Sequence, residues 1–329
     1  MNRIKYLLLF SLFTIIIALI IRDIDNRGNV GIEQKAQDPE LFAPQPSSLV
    51  NGVKMIEEGD VLIDDQEKPI IKPTPQPKVI VKPYITAESY LVGNLKTGEV
   101  YLQLNPDKVA PIASVSKLYT ALVVSHLFDQ DKEIVISETA LNAYGESGGL
   151  VLDEKFMPKE LLYALLLVSS NDAAEAFAES FGSTQFMSNM NGFAQEIGMH
   201  NTYFKDPSGL SPHNVSNAND LFALSKYLYT SEREILNISK TPSIDIATTT
   251  SHGSHYYKNI NPFTVYSYFS GGKTGRTVEA KEAMVSIFDQ TVDGITYPIA
   301  VIILRSDLGE REMNTEKLLG LFIDKVSVK

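Results

Sequence analysis

"PIASVSKLYTALVVSHLF", residues 111–128, is the stretch on which the reading of this chain turns. After a proline and several small residues, apolar side chains fall on most faces, so the sequence predicts a helix that is largely buried. Its opening holds Ser114-Val115-Ser116-Lys117. Residues three apart share one face of a helix, which brings the Lys117 amine within reach of the Ser114 hydroxyl. Burial favours the neutral form of a lysine, and a neutral amine can take a serine proton. A serine at a helix start also places its own N–H where a developing oxyanion can be held. Taken alone, the pattern also fits a capping serine with a surface lysine one turn later, and Ser270-Gly-Gly-Lys273 repeats it in the same chain.

Further along, "PKELLYALLLVSSNDAAEAFAESF" predicts a second apolar helix, broken at Ser169-Ser170-Asn171 and restarted with Asp172 as its cap. Ser169 to Asn171 is the one Ser-x-Asn in the sequence. Three polar residues after so apolar a run either end it at a capped surface turn or deliver polar groups to a cleft at the edge of the core.

Lys-Thr-Gly occurs twice, at 96–98 in "ESYLVGNLKTGEVYLQLN" and at 273–275 in "YSYFSGGKTGRTVEA". In the first, β-forming residues flank the triplet and Gly98 supplies the positive φ of a tight turn, so it reads as a hairpin tip. The second precedes a strand-like segment, and we read it as a strand lining a groove. There Lys273 offers charge, Thr274 a hydroxyl, Gly275 room for a ligand to approach the backbone, and Arg276 an N–H for an oxyanion hole.

Around these motifs, "STQFMSNMNGFAQEIG" and "NANDLFALSKYLYTS" predict helices, "EAMVSIF" and "ITYPIAVIILR" predict strands joined by a "DQTVDG" turn, and "NTEKLLGLFIDKV" predicts a closing helix. A hairpin at one end, strands at the other and helices between imply an α+β fold, an antiparallel sheet with helices packed on it.

Composition narrows the chemistry. Forty acidic against 29 basic residues give a net charge of −11, which argues against binding nucleic acid. Cysteine is absent from the sequence, which excludes disulfides and thiolate chemistry. The pair in "SHGSH", His252 and His255, has no acidic neighbour along the sequence, so no metal site is expected there.

The first 85 residues carry a location signal. Residues 1–5 include Arg3 and Lys5, and residues 6–21, "YLLLFSLFTIIIALII", are uncharged and apolar, followed by no small-residue cleavage site. We expect an uncleaved signal anchor, with residues 1–5 cytoplasmic and the remainder extracytoplasmic at the cell membrane; secretion after cleavage is the alternative. Residues 22–85 end in "KPIIKPTPQPKVIVKP" and read as a Pro-rich extracytoplasmic linker, leaving 86–329 as the globular domain.

Ser-x-x-Lys at 114, Ser-x-Asn at 169 and Lys-Thr-Gly at 273 form the ordered set of penicillin-binding proteins and class A β-lactamases. With "ELLYALLLVSSNDAAEAFAE", "IGMHNTYFKDPSGLSPHNVSNANDL" and "YKNINPF", the chain over roughly 86–329 resembles the D-alanyl-D-alanine carboxypeptidases, the low-molecular-mass penicillin-binding proteins. That resemblance implies a five-stranded antiparallel sheet flanked by helices, with an inserted helical subdomain. It implies Ser114 as acylated nucleophile, Lys117 as its base, Ser169 and Asn171 in proton transfer and substrate positioning, and Lys273 and Thr274 on the substrate carboxylate, with Gly275 and Arg276 beside them.

The substrate implied is a peptidoglycan stem peptide ending in D-Ala-D-Ala, β-lactams are implied as acylating inhibitors, and neither a metal nor an organic cofactor is called for. A DD-endopeptidase, a transpeptidase and a non-catalytic penicillin-binding sensor share the motifs. A class A β-lactamase would need a glutamate, and "NTYFKDPSGLSPHN" has none. Two departures stand out: Ser170 where the family usually has glycine, and the charged, glycine-free "RTVEAKEAMVSIF" after the second Lys-Thr-Gly. The 54 residues after Gly275 suffice for two strands and a helix, so the extra C-terminal β domain of many relatives is not expected, and an N-terminal anchor would replace a C-terminal membrane attachment.

Overall fold

The computed structural model describes residues 84–145 and 148–327. The anchor expected at 6–21 and almost all of the expected linker lie outside the described residues. Among the described residues no helix is long and apolar enough to cross a membrane.

One five-stranded sheet organises the molecule: β1 (Ser89–Asn94), β2 (Val100–Leu104), β3 (Phe269–Thr277), β4 (Lys281–Val292) and β5 (Ile295–Ser306), in the order β2-β1-β5-β4-β3. Every neighbouring pair is antiparallel, and the first strand lies against the last, with Leu91 opposite Ile302. Between β2 and β3 run α1 (Ser116–Leu127), α2 (Pro158–Leu167), α3 (Asn171–Phe181), α4 (Ser183–Glu196), α5 (Ala218–Ser231) and α6 (Arg233–Ser239), and α7 (Arg311–Ser327) follows β5.

Strand alternation divides the core in two. Leu91, Val285, Ile287 and Ile302 face the helical block, while Val92, Met284, Phe288 and Ile303 face Leu318 and Phe322 of α7. The sheet is thus covered on both faces, which is why its central strands read as continuous apolar runs. Helix α1 passes through the larger core with all residues from Ser116 to Val124 buried. Burying Leu118 and Leu122 contributes roughly 1.5–3 kcal/mol each, enough to outweigh the weak helix propensity of Thr120, Val123 and Val124.

Several boundaries differ from expectation. The last hairpin turns at Asp293-Gly294 alone, both at positive φ, because "DQTV" stays on the ladder with Thr291 opposite Thr296. Helix α7 begins at Arg311 and not at Asn314. The restart after Ser169 is capped by Ser170, whose Oγ accepts from the Ala173 N–H at 3.1 Å, so Asp172 lies inside the first turn. His252 and His255 do gain acidic company through the fold, Glu160 at 3.7 Å and Glu154 at 3.1 Å, although no group of residues suited to hold a metal ion occurs among the described residues.

Candidate active site

Ser114 sits in a tight 3-10 turn, Ala113–Val115, that leads straight into α1. Three residues per turn place Ser114 and Lys117 on one line, and Lys117 Nζ donates to Ser114 Oγ at 3.1 Å. The turn is strained, with Ala113 at φ +48°. Two glycine backbones press on it. A Cβ on Gly209 would fall 2.0 Å from the Ala113 carbonyl oxygen, and one on Gly275 would fall 2.7 Å from the Ile112 oxygen and 3.1 Å from the Ser114 nitrogen. The missing side chain of Gly275 therefore makes room for the chain's own nucleophile turn.

Lys117 is fully buried and donates twice more, to Asn171 Oδ1 and to the Ser208 carbonyl, both at 2.6 Å. Burial lowers its pKa to about 7, against the opposing pull of Asp206, Glu175 and Asp172. Near neutral pH a sizeable fraction of this amine is unprotonated.

The break between α2 and α3 puts Ser169 at φ +63° and Asn171 at the first position of α3. Ser169 Oγ accepts from Lys273 Nζ at 3.0 Å, and Asn171 Nδ2 donates to the Tyr144 carbonyl at 2.7 Å. Ser170, at the departure from glycine, is wholly buried as the cap of α3 and is not among the residues that line the cavity.

Lys273, Thr274 and Gly275 lie on β3, the free edge of the sheet, with Lys273 opposite Val285. Lys273 is buried, and its pKa is pushed well below the usual lysine value by burial first and then by the cations of Lys117 and Arg311. An incoming carboxylate would restore its proton. The Gly272 N–H donates off the sheet edge to Ser239 Oγ at 3.0 Å. Alternate residues of an antiparallel strand point their N–H groups the same way, and the register is unbroken from Gly271 to Thr277. The Arg276 N–H therefore points off the same edge, towards Ser114. The other Ser-x-x-K serine is otherwise engaged: Ser270 Oγ donates to Asp289 Oδ2 at 2.5 Å. The charged stretch after Arg276 stays on the sheet, with Glu282 opposite Arg276, and carries a register shift at Glu282/Met284 against β5 and another at Ile287/Phe288 against β3.

Ser114, Ser169, Thr274, Gly275 and Arg276 line one cavity of about 210 Å³, together with Ile260 and Arg311. The structure thus gathers all three motifs at one place, with Lys117 and Lys273 buried beneath it. The first Lys-Thr-Gly is elsewhere, at the β1–β2 hairpin.

Sequence reading missed three contributors. Arg311 reaches the cavity from α7 and donates to the Gly275 carbonyl at 3.2 Å. Ser208 supplies a carbonyl to Lys117. Asp206 holds the loop that presents it, accepting from the N–H groups of Ser208, Gly209, Leu210 and Ser211 and from Ser208 Oγ. An Asp-Pro-Ser-Gly turn signal marks this loop in the sequence, but nothing there indicates where it docks.

The sequence profile of the D-alanyl-D-alanine carboxypeptidase family matches residues 76–304. The chain belongs to this family. Among family relatives, a D-alanyl-D-alanine endopeptidase of Pseudomonas aeruginosa is 38% identical over 157 residues, covering 46% of this chain and 50% of that protein. The D-alanyl-D-alanine carboxypeptidase DacF of Bacillus subtilis is 29% identical over 241 residues, covering 71% of this chain and 61% of the relative. The match therefore spans about half to three fifths of these relatives' length. The family fold is seen in the Streptomyces K15 DD-transpeptidase crystal structure, at a TM-score of 0.64 and 29% identity over 73% of this chain and 98% of that one.

Proposed function

We propose that this family member is a serine-type D-Ala-D-Ala carboxypeptidase that removes the terminal D-alanine of peptidoglycan stem peptides. One observation carries the reading: a fully buried Lys117, its pKa lowered to about 7, sits 3.1 Å from the hydroxyl of Ser114. Lys273 and Thr274, with Arg311 behind them, hold the substrate's free carboxylate. The scissile carbonyl oxygen points between the N–H groups of Ser114 and Arg276.

Neutral Lys117 takes the Ser114 proton as Oγ attacks that carbonyl, giving an oxyanion. Its collapse breaks the C–N bond, and the departing D-alanine amine takes a proton relayed from Lys117 through Ser169. The acyl ester on Ser114 is then cleaved by water, which gives one proton to the serine oxygen through the same lysine and leaves the peptide as a carboxylate. Asn171 orients Lys117 and the substrate amide. No metal or cofactor takes part in these steps. β-Lactams acylate Ser114 by the same attack.

Deacylation distinguishes this reading from a class A β-lactamase. The carboxylate in the loop where that enzyme carries its glutamate is Asp206, which is occupied by the N–H groups of its own loop. The 38% identity to the endopeptidase favours a second reading, in which the same acyl-enzyme forms from a cross-linked peptide and the leaving amine belongs to a neighbouring stem. The deciding experiment incubates the full-length chain with a fluorescent penicillin, a D-Ala-D-Ala stem peptide and a cross-linked dimer. Release of D-alanine that is lost with Ser114→Ala supports the carboxypeptidase; cleavage of the dimer alone supports the endopeptidase. Labelling without any release points to a sensor, and transfer to an added amine to a transpeptidase.

We also propose that residues 6–21 anchor the domain on the outer face of the cell membrane through the linker at 22–85. The positive flank at Arg3 and Lys5 supports this, and recovery of the protein only in a soluble secreted fraction would overturn it.

A further inference from the structure

The cleft continues beyond Arg276. A second cavity of about 420 Å³ is lined by Arg276, Thr277, Val278, Lys281 and Leu308. Arg276 is a wall of both cavities. Two segments run from one to the other: the end of β3 from Gly275 to Thr277 with Val278 of the following turn, and the stretch from Leu308 to Arg311. Val278 is 91% exposed and Leu308 65% exposed, two apolar side chains held out to solvent on the turns that flank this trough. Lys281 is already engaged by Glu88 and Asp307. The guanidinium of Arg276, by contrast, has no ion pair or hydrogen bond among the described residues.

The direction of the substrate follows from the proposed function, on which this inference rests. Its terminal carboxylate lies at Lys273 and Thr274, and the carbonyl one residue upstream lies at Ser114 and the Arg276 N–H. The peptide therefore runs antiparallel to β3, and its earlier residues pass Arg276 towards Val278. At about 3.3 Å per residue, the residue immediately before D-Ala-D-Ala stands over the trough. A side chain placed there lies within reach of the apolar Val278 and Leu308 and of the unpaired Arg276 cation.

We propose that this trough is the specificity subsite for the residue preceding D-Ala-D-Ala, and that it selects an unbranched aliphatic side chain ending in a carboxylate. The methylenes pack on Val278 and Leu308, and the carboxylate pairs with Arg276.

The test uses the full-length protein and three N-acetyl-X-D-Ala-D-Ala peptides in which X is L-2-aminoadipate, L-norleucine or L-lysine. D-Alanine release gives kcat/KM for each, and fluorescent penicillin is run in parallel. The expected order is aminoadipate, then norleucine, then lysine, with about a tenfold span between the ends that narrows with salt, as for a solvent-exposed pair. Leu308→Asp, which sets a competing carboxylate beside Arg276, is expected to bring the span to within about twofold while labelling persists. Arg276→Glu is expected to invert the order. Equal kcat/KM for the three peptides, or a span unchanged in Leu308→Asp, overturns the subsite while leaving the peptidase reading standing. Absence of both labelling and D-alanine release from folded protein overturns the reading of Ser114 and the subsite with it.

Discussion

The two Lys-Thr-Gly triplets have the same three side chains and share almost no physics. At 96–98 the triplet forms the tip of the β1–β2 hairpin. The Asn94 side chain accepts from the Lys96 and Thr97 N–H groups, the Gly98 N–H donates to the Asn94 carbonyl, Gly98 sits at φ +78°, and Lys96 is in solvent. At 273–275 the triplet lies on a sheet edge roofed by the nucleophile turn, with Lys273 buried against Ser169 and Gly275 in contact range of Ile112. A lysine in water is an ordinary cation. A lysine stripped of water is a group whose charge waits on its partner. The triplet acquires its chemistry from desolvation and from what packs beside it.

If the second triplet belongs to an acyl-transfer site, Ser114→Ala should abolish penicillin labelling and reduce D-alanine release by on the order of 10⁴-fold or more, as for other serine nucleophiles. Next comes the pair of lysines. Lys273→Ala should lower kcat/KM by about 10²- to 10³-fold, the scale of a lost charged contact in a preorganised site, whereas Lys96→Ala should stay within about twofold of the parent. Equal effects of the two substitutions would collapse the distinction.

The pH dependence sharpens it further. Protonated Lys117 cannot take the serine proton, so kcat/KM should rise with pH, bending near the lowered value of about 7 and falling about tenfold per unit below it. A profile flat from pH 5 to 8 would remove Lys117 as the base. The glycines should then separate by kind of damage. Gly275→Ala forces its Cβ against the Ile112 carbonyl and should shift the nucleophile turn, costing about 1–3 kcal/mol and much of the acylation rate. Gly98→Ala meets only Lys226 Nζ at 3.7 Å and should cost about 1 kcal/mol through its positive φ, with acylation unchanged. The smallest effect is expected from Ser170→Ala, about 1 kcal/mol of stability from the lost cap of α3 and undiminished labelling. Thermal melts and labelling rates measured on the same samples distinguish these outcomes.

Local signals carried much of the architecture. The Gly98 turn, the apolar runs of α1 and α2 and the polar break at Ser169 each follow from short-range rules, and the order of strands and helices was enough for the fold class. Boundaries were less legible where pairing decides them. Nothing local shows that "DQTV" extends a strand, because what keeps it on the ladder is the partner opposite. Asp172 was the expected cap, and Ser170 takes that place because its Oγ reaches the Ala173 N–H.

By itself, the sequence determined that three motifs of acyl-transfer chemistry occur in order, and which elements carry them, because periodicity and turn chemistry act within a few residues. Only the tertiary structure decided what those groups experience. The burial of Lys117, the approach of Gly209 and Gly275 to the nucleophile turn, the carbonyl of Ser208 held by Asp206, and the arrival of Arg311 from the last helix all join residues far apart along the chain. Desolvation and close packing depend on those distant neighbours, and no window of sequence contains them.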